Sequence, residues 1–269
     1  MELSPNLFDP IAGAFDARLG LPEEFCRNIA DAVVSIAQAE PGDLIVEVGP
    51  GTGQIGQWFD RPIRYVGFDL SAAMLKEFCR RLNDPGNKLL IQADGNAGWP
   101  IRDRAARIIF SSRAVHLLEP EHVASEVFRV AHARGATLIV GRVDRDPASV
   151  RSRMAAEMLE RLRKHGFQGR RGKQYNRRLF ELCCSEGADS LETVTVARWK
   201  VMISPSQSLD AWRQLKGLGG VPVPRNVRDE ILSELELWAE EVFGGLSNEF
   251  ESDESYTLRS VRVTPVHSD

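Results

Sequence analysis

The chain has few of the features that mark membrane, secreted or disulfide-rich proteins. It contains only four cysteines among 269 residues, too few for a disulfide framework, and no two of them have zinc-site spacing. We therefore expect buried free thiols in a reducing cytoplasm and no metal. No apolar run approaches the roughly 18 residues that span a bilayer, and we expect no secretory signal. An integral membrane protein is thereby excluded.

An excess of charge of either sign is also missing, since 34 Lys and Arg against 38 Asp and Glu leave a net charge of −4. This average hides two opposite segments. Residues 142–178 hold 12 basic and 4 acidic side chains, whereas residues 229–254 hold 10 acidic and no basic ones. The basic segment favours a solvated or internally paired face, with an anionic small substrate or a nucleic acid as alternatives. The acidic segment indicates an exposed helix side, which could pair with the basic one.

What the chain does have, from residue 44 to 141, is an alternation of strand and helix patterns. Helical stripes follow Pro22, Ser71 and about Pro120, where apolar side chains recur three to four residues apart. Short apolar runs typical of buried parallel strands lie at 44–48, 65–68, 89–91, 108–110 and 137–140. Short connections between such elements predict a doubly wound α/β fold with helices on both faces of the sheet.

The pattern changes after residue 145. An amphipathic helix is predicted from Val150 to Leu162, followed by an irregular, Arg- and Gly-rich segment to about residue 187. An alternating stretch over 193–203, a helix over 226–243 and a strand over 256–263 complete the chain. We predict a single domain with a Rossmann-like seven-stranded sheet, mostly parallel with a late antiparallel hairpin. Its predicted parts are an N-terminal helical lid (1–40), a cofactor-binding core (41–144), an inserted helical cap (145–190) and C-terminal elements that complete the sheet (191–269).

The most informative stretch is Glu47-Val-Gly-Pro-Gly-Thr-Gly53, which directly follows the first strand. Three glycines in five residues allow positive φ and close approach of a ligand, at the sheet edge where open α/β folds bind ligands. The spacing Gly51-x-Gly-x-x-Gly56 also satisfies the dinucleotide fingerprint, so an NAD-linked oxidoreductase is one alternative. However, Glu47, Asp69 and Asp94 each lie at or near a strand end, and these acids suit a cationic, donor-rich ligand better than a diphosphate.

Four motifs in this order resemble those of the class I S-adenosylmethionine-dependent methyltransferases, in particular small-molecule enzymes of the type 11/25 kind. The resemblance covers about residues 44–141 strongly, and a segment over 8–16 fits the family's lid more loosely. The motifs are Glu47–Gly53, Gly67–Leu75, Gln92–Gly95 with Trp99-Pro100, and Ile108–Leu117.

The resemblance implies S-adenosylmethionine as the methyl donor and S-adenosylhomocysteine as the product. Glu47 and the glycines would hold the methionine end, Asp69 the ribose hydroxyls, and Asp94 the adenine amino group, with Gly95 leaving room for the ring. His116 is the candidate general base. The implied cofactor contacts are Glu47, Gly49, Pro50, Gly51, Thr52, Gly53, Asp69, Leu70, Met74, Asp94, Gly95 and Ser111. The candidate acceptor contacts are Phe15, Arg113, His116 and Tyr175.

The fourth motif also limits the classes of molecule that could accept the methyl group. Ser111-Ser-Arg-Ala114 is neither the Asn/Asp-Pro-Pro-aromatic loop of enzymes that methylate exocyclic base amines nor a Pro-Cys nucleophile for cytosine chemistry. We therefore predict in-line methyl transfer to a small molecule in preference to a nucleic acid. We expect no membrane partner. An RNA methyltransferase that uses the basic segment 142–178 is the second alternative.

Overall fold

The computed structural model describes residues 21–60, 62–82, 86, 88–169 and 172–264. The chain divides into two compact units: unit 1 comprises Met1–Arg142, Gly172–Ala197 and Tyr256–Asp269, and unit 2 comprises Val143–Arg171 and Arg198–Ser255. The strands are β1 Leu44–Val48, β2 Arg64–Asp69, β3 Lys88–Gln92, β4 Ile108–Ser112, β5 Ala136–Arg145, β6 Asp189–Ser190, β7 Val194–Ile203, β8 Gly217–Leu218, β9 Val221–Pro222 and β10 Phe250–Val263. The α-helices are α1 Cys26–Ile36, α2 Ala72–Arg81, α3 Pro120–Val130, α4 Val150–Lys164, α5 Gly172–Ser185, α6 Pro205–Arg213 and α7 Arg225–Phe243.

Eight strands form one sheet in the order β3-β2-β1-β4-β5-β10-β6, and β7 pairs with β10. The pairs β1–β2, β1–β4, β2–β3 and β4–β5 are parallel, whereas β6 runs antiparallel to β10. The predicted doubly wound, mostly parallel sheet is therefore confirmed, with eight strands among the described residues instead of seven. The additional strand, β6, has two residues and is too short to leave a periodic pattern. Since the strand order reverses between β1 and β4, the ligand edge of the sheet lies at their carboxyl ends.

The core of unit 1 lies on both faces of this sheet, which explains the near-continuous apolar sequence of β1. On one face, buried aliphatic side chains of β1, β4 and β5 pack with α3 and α5. The other face carries an aromatic cluster in which neighbouring ring centroids are 5.7–5.9 Å apart. Its members are Phe59, Tyr65, Phe78 and Phe110. Burying each such ring contributes roughly 1.5–3 kcal/mol.

Helix α5 corrects the prediction that the segment from 166 to about 187 is irregular. Leu179, Phe180 and Cys183 are buried in the unit 1 core, and their spacing places them on one helical face. An ion pair of 3.0 Å between Arg178 and Glu121 joins α5 to α3. The Arg- and Gly-rich composition of the first part of the segment concealed this face.

The predicted cap, 145–190, does not coincide with either unit, because its first part lies in unit 2 and α5 lies in unit 1. Its role as a cap stays a prediction. Of the predicted lid, 1–40, residues 1–20 lie outside the described residues. The rest forms a short 3-10 helix, Glu23–Phe25, and α1.

Unit 2 has its own core, formed by three helices. The apolar faces of α4, α6 and α7 meet there. Ser204 begins α6 with a capping box to Gln207. Gly244, with a φ of 70°, ends α7 in the left-handed conformation that is common after a helix. The central buried side chains are Met154, Met158, Leu162, Leu209, Ile231, Leu235 and Ala239.

The basic and acidic segments pair with each other inside unit 2. Arg145 and Arg151 each donate a hydrogen bond of 2.9 Å to the buried carboxylate of Glu254. Arg161 donates one of 2.8 Å to Glu234. These contacts support the interpretation of the basic segment as an internally paired face.

The four cysteines are all free. Cys26 and Cys183 are buried as expected, whereas the expectation of burial is wrong for Cys79 and Cys184, which are exposed. Among the described helices, none combines the length and the apolar character required to span a membrane.

Candidate functional site

The glycine turn follows β1 and is fixed both by backbone conformation and by close packing. Gly49, Gly51 and Gly53 have φ values of 68°, 57° and 75°, a region that side chains other than glycine rarely adopt. A Cβ atom on Gly49 would lie 2.3 Å from the Cβ of Ala114, and one on Gly53 would lie 2.0 Å from the ring of Phe78. The turn therefore requires glycine for its own conformation and packing, apart from any space that a ligand would need. The intervening Pro50 and Thr52 are buried.

Glu47 occupies the end of β1 beneath this turn and is only 1% exposed. The Tyr65 hydroxyl donates a hydrogen bond of 2.6 Å to its Oε2 atom. Gly67 lies opposite Glu47 in the β1–β2 register, and a Cβ there would lie 2.7 Å from the Tyr65 hydroxyl oxygen. Gly67 thus leaves the space through which the tyrosine reaches the acid.

The ionisation of Glu47 is shifted by this environment. Burial raises the pKa of its carboxyl to about 7 and outweighs the hydrogen bond from Tyr65, which lowers it. The negative charge of Asp69 raises the pKa of Glu47 further, and the positive charge of Arg113 opposes this. Because a nearby cation favours the ionised carboxylate, this position is suited to a positively charged ligand group.

Asp69, at the end of β2, connects the glycine turn to the start of α2. Its Oδ2 accepts a hydrogen bond of 2.9 Å from the Gly51 amide, and its Oδ1 accepts one of 2.9 Å from the Ser71 amide. Ser71 in turn caps α2 by accepting from the Met74 amide at 3.1 Å, a role typical of serine at a helix start. Leu70 is half-buried, whereas Met74 lies in the apolar interior. A carboxylate oxygen has two lone pairs, so Asp69 can still accept from ribose hydroxyls.

Asp94 and Gly95 follow β3 in a tight turn. The half-buried Asp94 accepts a hydrogen bond of 2.9 Å from the Asn96 amide. A Cβ on Gly95 would lie 2.7 Å from a methyl carbon of Leu118. The need for glycine here is thus explained by packing against Leu118, a reason other than the room for an adenine ring that the motif suggested.

The segment after β4 turns back toward the end of β1. The buried Ser111 donates a hydrogen bond of 2.8 Å to the Val48 carbonyl. Arg113 has a φ of 64°, and its amide donates to the Gly141 carbonyl at 3.2 Å. The Arg113 guanidinium donates to the Gln54 side chain at 3.3 Å. The side chains of Ser111 and Arg113 are therefore oriented toward the two ends of the glycine turn.

The candidate acceptor residues are only partly brought together. His116 lies in a 3-10 helix, Val115–Leu117, and is half-buried. Tyr175, also half-buried, lies on α5, which packs against that 3-10 helix. Phe15 lies outside the described residues.

The structure adds one residue that motif analysis missed. The buried Tyr256, on β10, forms a hydrogen bond of 2.6 Å between its hydroxyl and that of Ser112. A Cβ on Gly141 would lie 2.1 Å from the Tyr256 hydroxyl oxygen, so this glycine makes room for the tyrosine. Since 144 residues separate Tyr256 from Ser112, no local pattern could have indicated the contact.

Two features oppose the dinucleotide interpretation of the glycine turn. A diphosphate site of that type requires an α-helix directly after the glycines, but the turn is followed by a three-residue 3-10 helix, Gly56–Trp58. A Cβ on Gly56 would also lie 2.6 Å from Oε2 of Glu47, so a buried acid lies against the third glycine of the fingerprint.

Comparison with known families agrees with the geometry. Residues 46–139, about a third of the chain, match the family described as Methyltransferase domain. This part of the chain is therefore similar to a methyltransferase domain, in agreement with the motifs. The methyl donor of this family is S-adenosylmethionine, as the motifs implied. No match was found among curated proteins.

Solved structures share the fold of this chain at low sequence identity. A putative methyltransferase from Bacillus halodurans C-125 is 17% identical, with a TM-score of 0.57, over 88% of this chain and 99% of that chain. The YcgJ protein from Bacillus subtilis is 15% identical, with a TM-score of 0.54, over 87% and 97% of the two chains. The cyclase SpnF is 17% identical, with a TM-score of 0.51, over 89% and 81%. At such identities the likeness concerns the fold alone.

Proposed function

We propose that this protein transfers the methyl group of S-adenosylmethionine to a small-molecule acceptor. The observation that carries the proposal is the arrangement of two carboxylates, the buried Glu47 and the half-buried Asp69, around a turn of left-handed glycines. The bound cofactor would supply an electrophilic methyl group on a sulfonium. A site with acids on its rim suits the cations and hydroxyl donors of that molecule.

Each of the three acidic residues would contact a different part of the cofactor. Glu47 would face the α-ammonium group of the methionine part, and Asp69 would accept from the ribose hydroxyls in a charge-assisted arrangement. Asp94 would accept from the adenine amino group. The carboxylates of Asp69 and Asp94 already accept amide hydrogen bonds, which hold them in place before a ligand arrives.

The acceptor would lie near the segment after β4, where His116 is the candidate general base. Displacement at a sulfonium methyl depends mostly on positioning, so a base is needed only if the acceptor must lose a proton. RNA is disfavoured as acceptor, because arginines of the basic segment are paired with Glu254 and Glu234.

The proposal is tested by methyl transfer from S-adenosylmethionine with a labelled methyl group to a metabolite extract. We expect label in the small-molecule fraction, unchanged by ribonuclease digestion and reduced with Asp69→Ala. Label that appears only in RNA would contradict the small-molecule acceptor. The fold also occurs in the cyclase SpnF, so the fold alone does not imply methyl transfer. Binding of the cofactor without transfer of a methyl group would therefore contradict the proposed methyltransferase activity.

A further inference from the structure

The turn after β4 holds an arginine in an unusual backbone conformation. Arg113 has a φ of 64°, a value that is uncommon for residues other than glycine and clusters at functional sites. Only two other described residues that are not glycine, Gln38 and Arg104, share a positive φ. The conformation is maintained because the Arg113 amide donates to the Gly141 carbonyl at 3.2 Å.

The side chain of Arg113 is directed toward the methionine end of the cofactor site. Its guanidinium donates to Gln54 at 3.3 Å, and Gln54 is a buried residue that directly follows the glycine turn. The adjacent Ala114 packs so closely on Gly49 that a Cβ on that glycine would lie 2.3 Å away. The charge of Arg113 also acts on the buried Glu47. One end of the turn is therefore bordered by a carboxylate and a guanidinium.

This pair of opposite charges matches an α-amino acid, which carries an ammonium and a carboxylate on one carbon. We propose that Arg113 binds the α-carboxylate of the methionine part of the cofactor, while Glu47 faces its α-ammonium group. The inference rests on the proposed function, and it assigns Arg113 to the cofactor instead of the acceptor. A guanidinium is suited to this role because its fork of donors matches a carboxylate.

Tyr256 is the positioning residue for this contact. Its hydroxyl bonds to Ser112 at 2.6 Å, immediately before Arg113, and it fills the space that Gly141 leaves open. The two residues that fix the Arg113 turn, Ser112 and Gly141, are thus both held by one side chain of β10. Arg113 can therefore keep its left-handed conformation without a ligand.

The test is to measure by calorimetry how tightly three ligands bind to Arg113→Gln and to the wild type. S-Adenosylhomocysteine has the carboxylate, decarboxylated S-adenosylmethionine has only the amino group, and methylthioadenosine has neither. We expect Arg113→Gln to bind S-adenosylhomocysteine roughly 10–100-fold more weakly, the range for a charge-assisted hydrogen bond. The other two ligands should change by less than about twofold. Arg104→Gln is the matched control, since it also replaces an arginine with positive φ but at an exposed position outside the site.

Two results would overturn the inference: unchanged binding of S-adenosylhomocysteine, or an equal loss for all three ligands, which would mean that Arg113 acts only on the turn. Arg113→Lys provides a second variant if Arg113→Gln fails to fold. It keeps the charge but lacks the fork, and it should bind S-adenosylhomocysteine with intermediate affinity and methylthioadenosine normally. Failure of the wild type to bind any of the three would contradict the proposed function itself, which is a distinguishable outcome.

Discussion

The Tyr65 hydroxyl donates a hydrogen bond of 2.6 Å to the Glu47 carboxylate, and both side chains are buried. This contact joins the end of β1 to β2 directly beneath the glycine turn. It opposes the effect of burial, which nevertheless raises the pKa of Glu47 to about 7. The acid that would meet the cationic end of the cofactor is therefore poised to change its charge near neutral pH.

Stability should depend on pH through Glu47. Its pKa is raised in the folded protein, from 4.5 to about 7, so the folded state holds a proton that the unfolded state releases. The stabilisation of the folded state is complete below pH 4.5 and is lost as the pH rises through 7, by on the order of 3 kcal/mol. Thermal unfolding of the wild type and Glu47→Gln between pH 5 and 8 measures this. The difference in stability between the wild type and Glu47→Gln should change over that pH range. The stability of Glu192→Gln, a substitution at an exposed position, should follow that of the wild type at every pH. Parallel curves for Glu47→Gln would contradict the prediction.

Gly67→Ala should disturb the contact from the other strand. The added Cβ would lie 2.7 Å from the Tyr65 hydroxyl oxygen, so the ring must shift away from Glu47. We expect a loss of about 1–3 kcal/mol in the free energy of unfolding, typical of overpacking in a core, measured by urea denaturation. Gly98→Ala is the matched control, because a Cβ there meets nothing within 4 Å. Equal effects of the two substitutions would refute this explanation.

Asp69→Ala should weaken binding of S-adenosylhomocysteine by about 1–3 kcal/mol, the range for hydrogen bonds to a charged group. Calorimetry measures the change. Ser71→Ala separates this effect from damage to α2, because it removes the cap that accepts from the Met74 amide. It should lower stability by about 0.5–2 kcal/mol with little change in affinity. A similar loss of affinity in both variants would mean that Asp69 acts through the helix start alone.

The hydrogen bond between Tyr256 and Ser112 should appear as coupling in a double-mutant cycle. Tyr256→Phe and Ser112→Ala should each destabilise the protein, and together they should cost less than the sum, by about 0.5–1.5 kcal/mol. Ser260→Ala serves as the control on the same strand, since its buried hydroxyl has no hydrogen-bond partner among the described residues. Strict additivity of Tyr256→Phe and Ser112→Ala would show that the bond contributes nothing.

Much of the fold could be predicted because parallel strands and amphipathic helices leave local patterns. The patterns for β1 to β5 and for α7 lie within their observed bounds or miss them by no more than one residue. The missed helix α6 did leave a signal, a Ser204-Pro start with Gln207 at the capping-box position. For α5 the signal was weaker, because arginines and glycines surround its short apolar face. The two-residue strand β6 leaves no pattern at all.

The candidate site was predictable only where a motif is continuous. The sequence indicates the glycine turn and the acids that follow each strand, but not what each side chain contacts. Tyr65 reaches Glu47 across 18 residues of sequence, and Gly67 makes the space for it through the strand register. Such contacts depend on register and on side-chain direction across the sheet, and a single sequence does not specify either. The same limit applies to Arg113. The residues next to it in the sequence give no indication of the turn conformation that directs its side chain inward.

Binding of S-adenosylmethionine at the glycine turn is tested by isothermal titration of the wild-type protein with S-adenosylhomocysteine, compared with a titration with NADH. We predict saturable one-to-one binding of S-adenosylhomocysteine that Asp69→Ala weakens and Arg104→Gln leaves unchanged, with no binding of NADH. Binding of NADH in the absence of any heat from S-adenosylhomocysteine would contradict it.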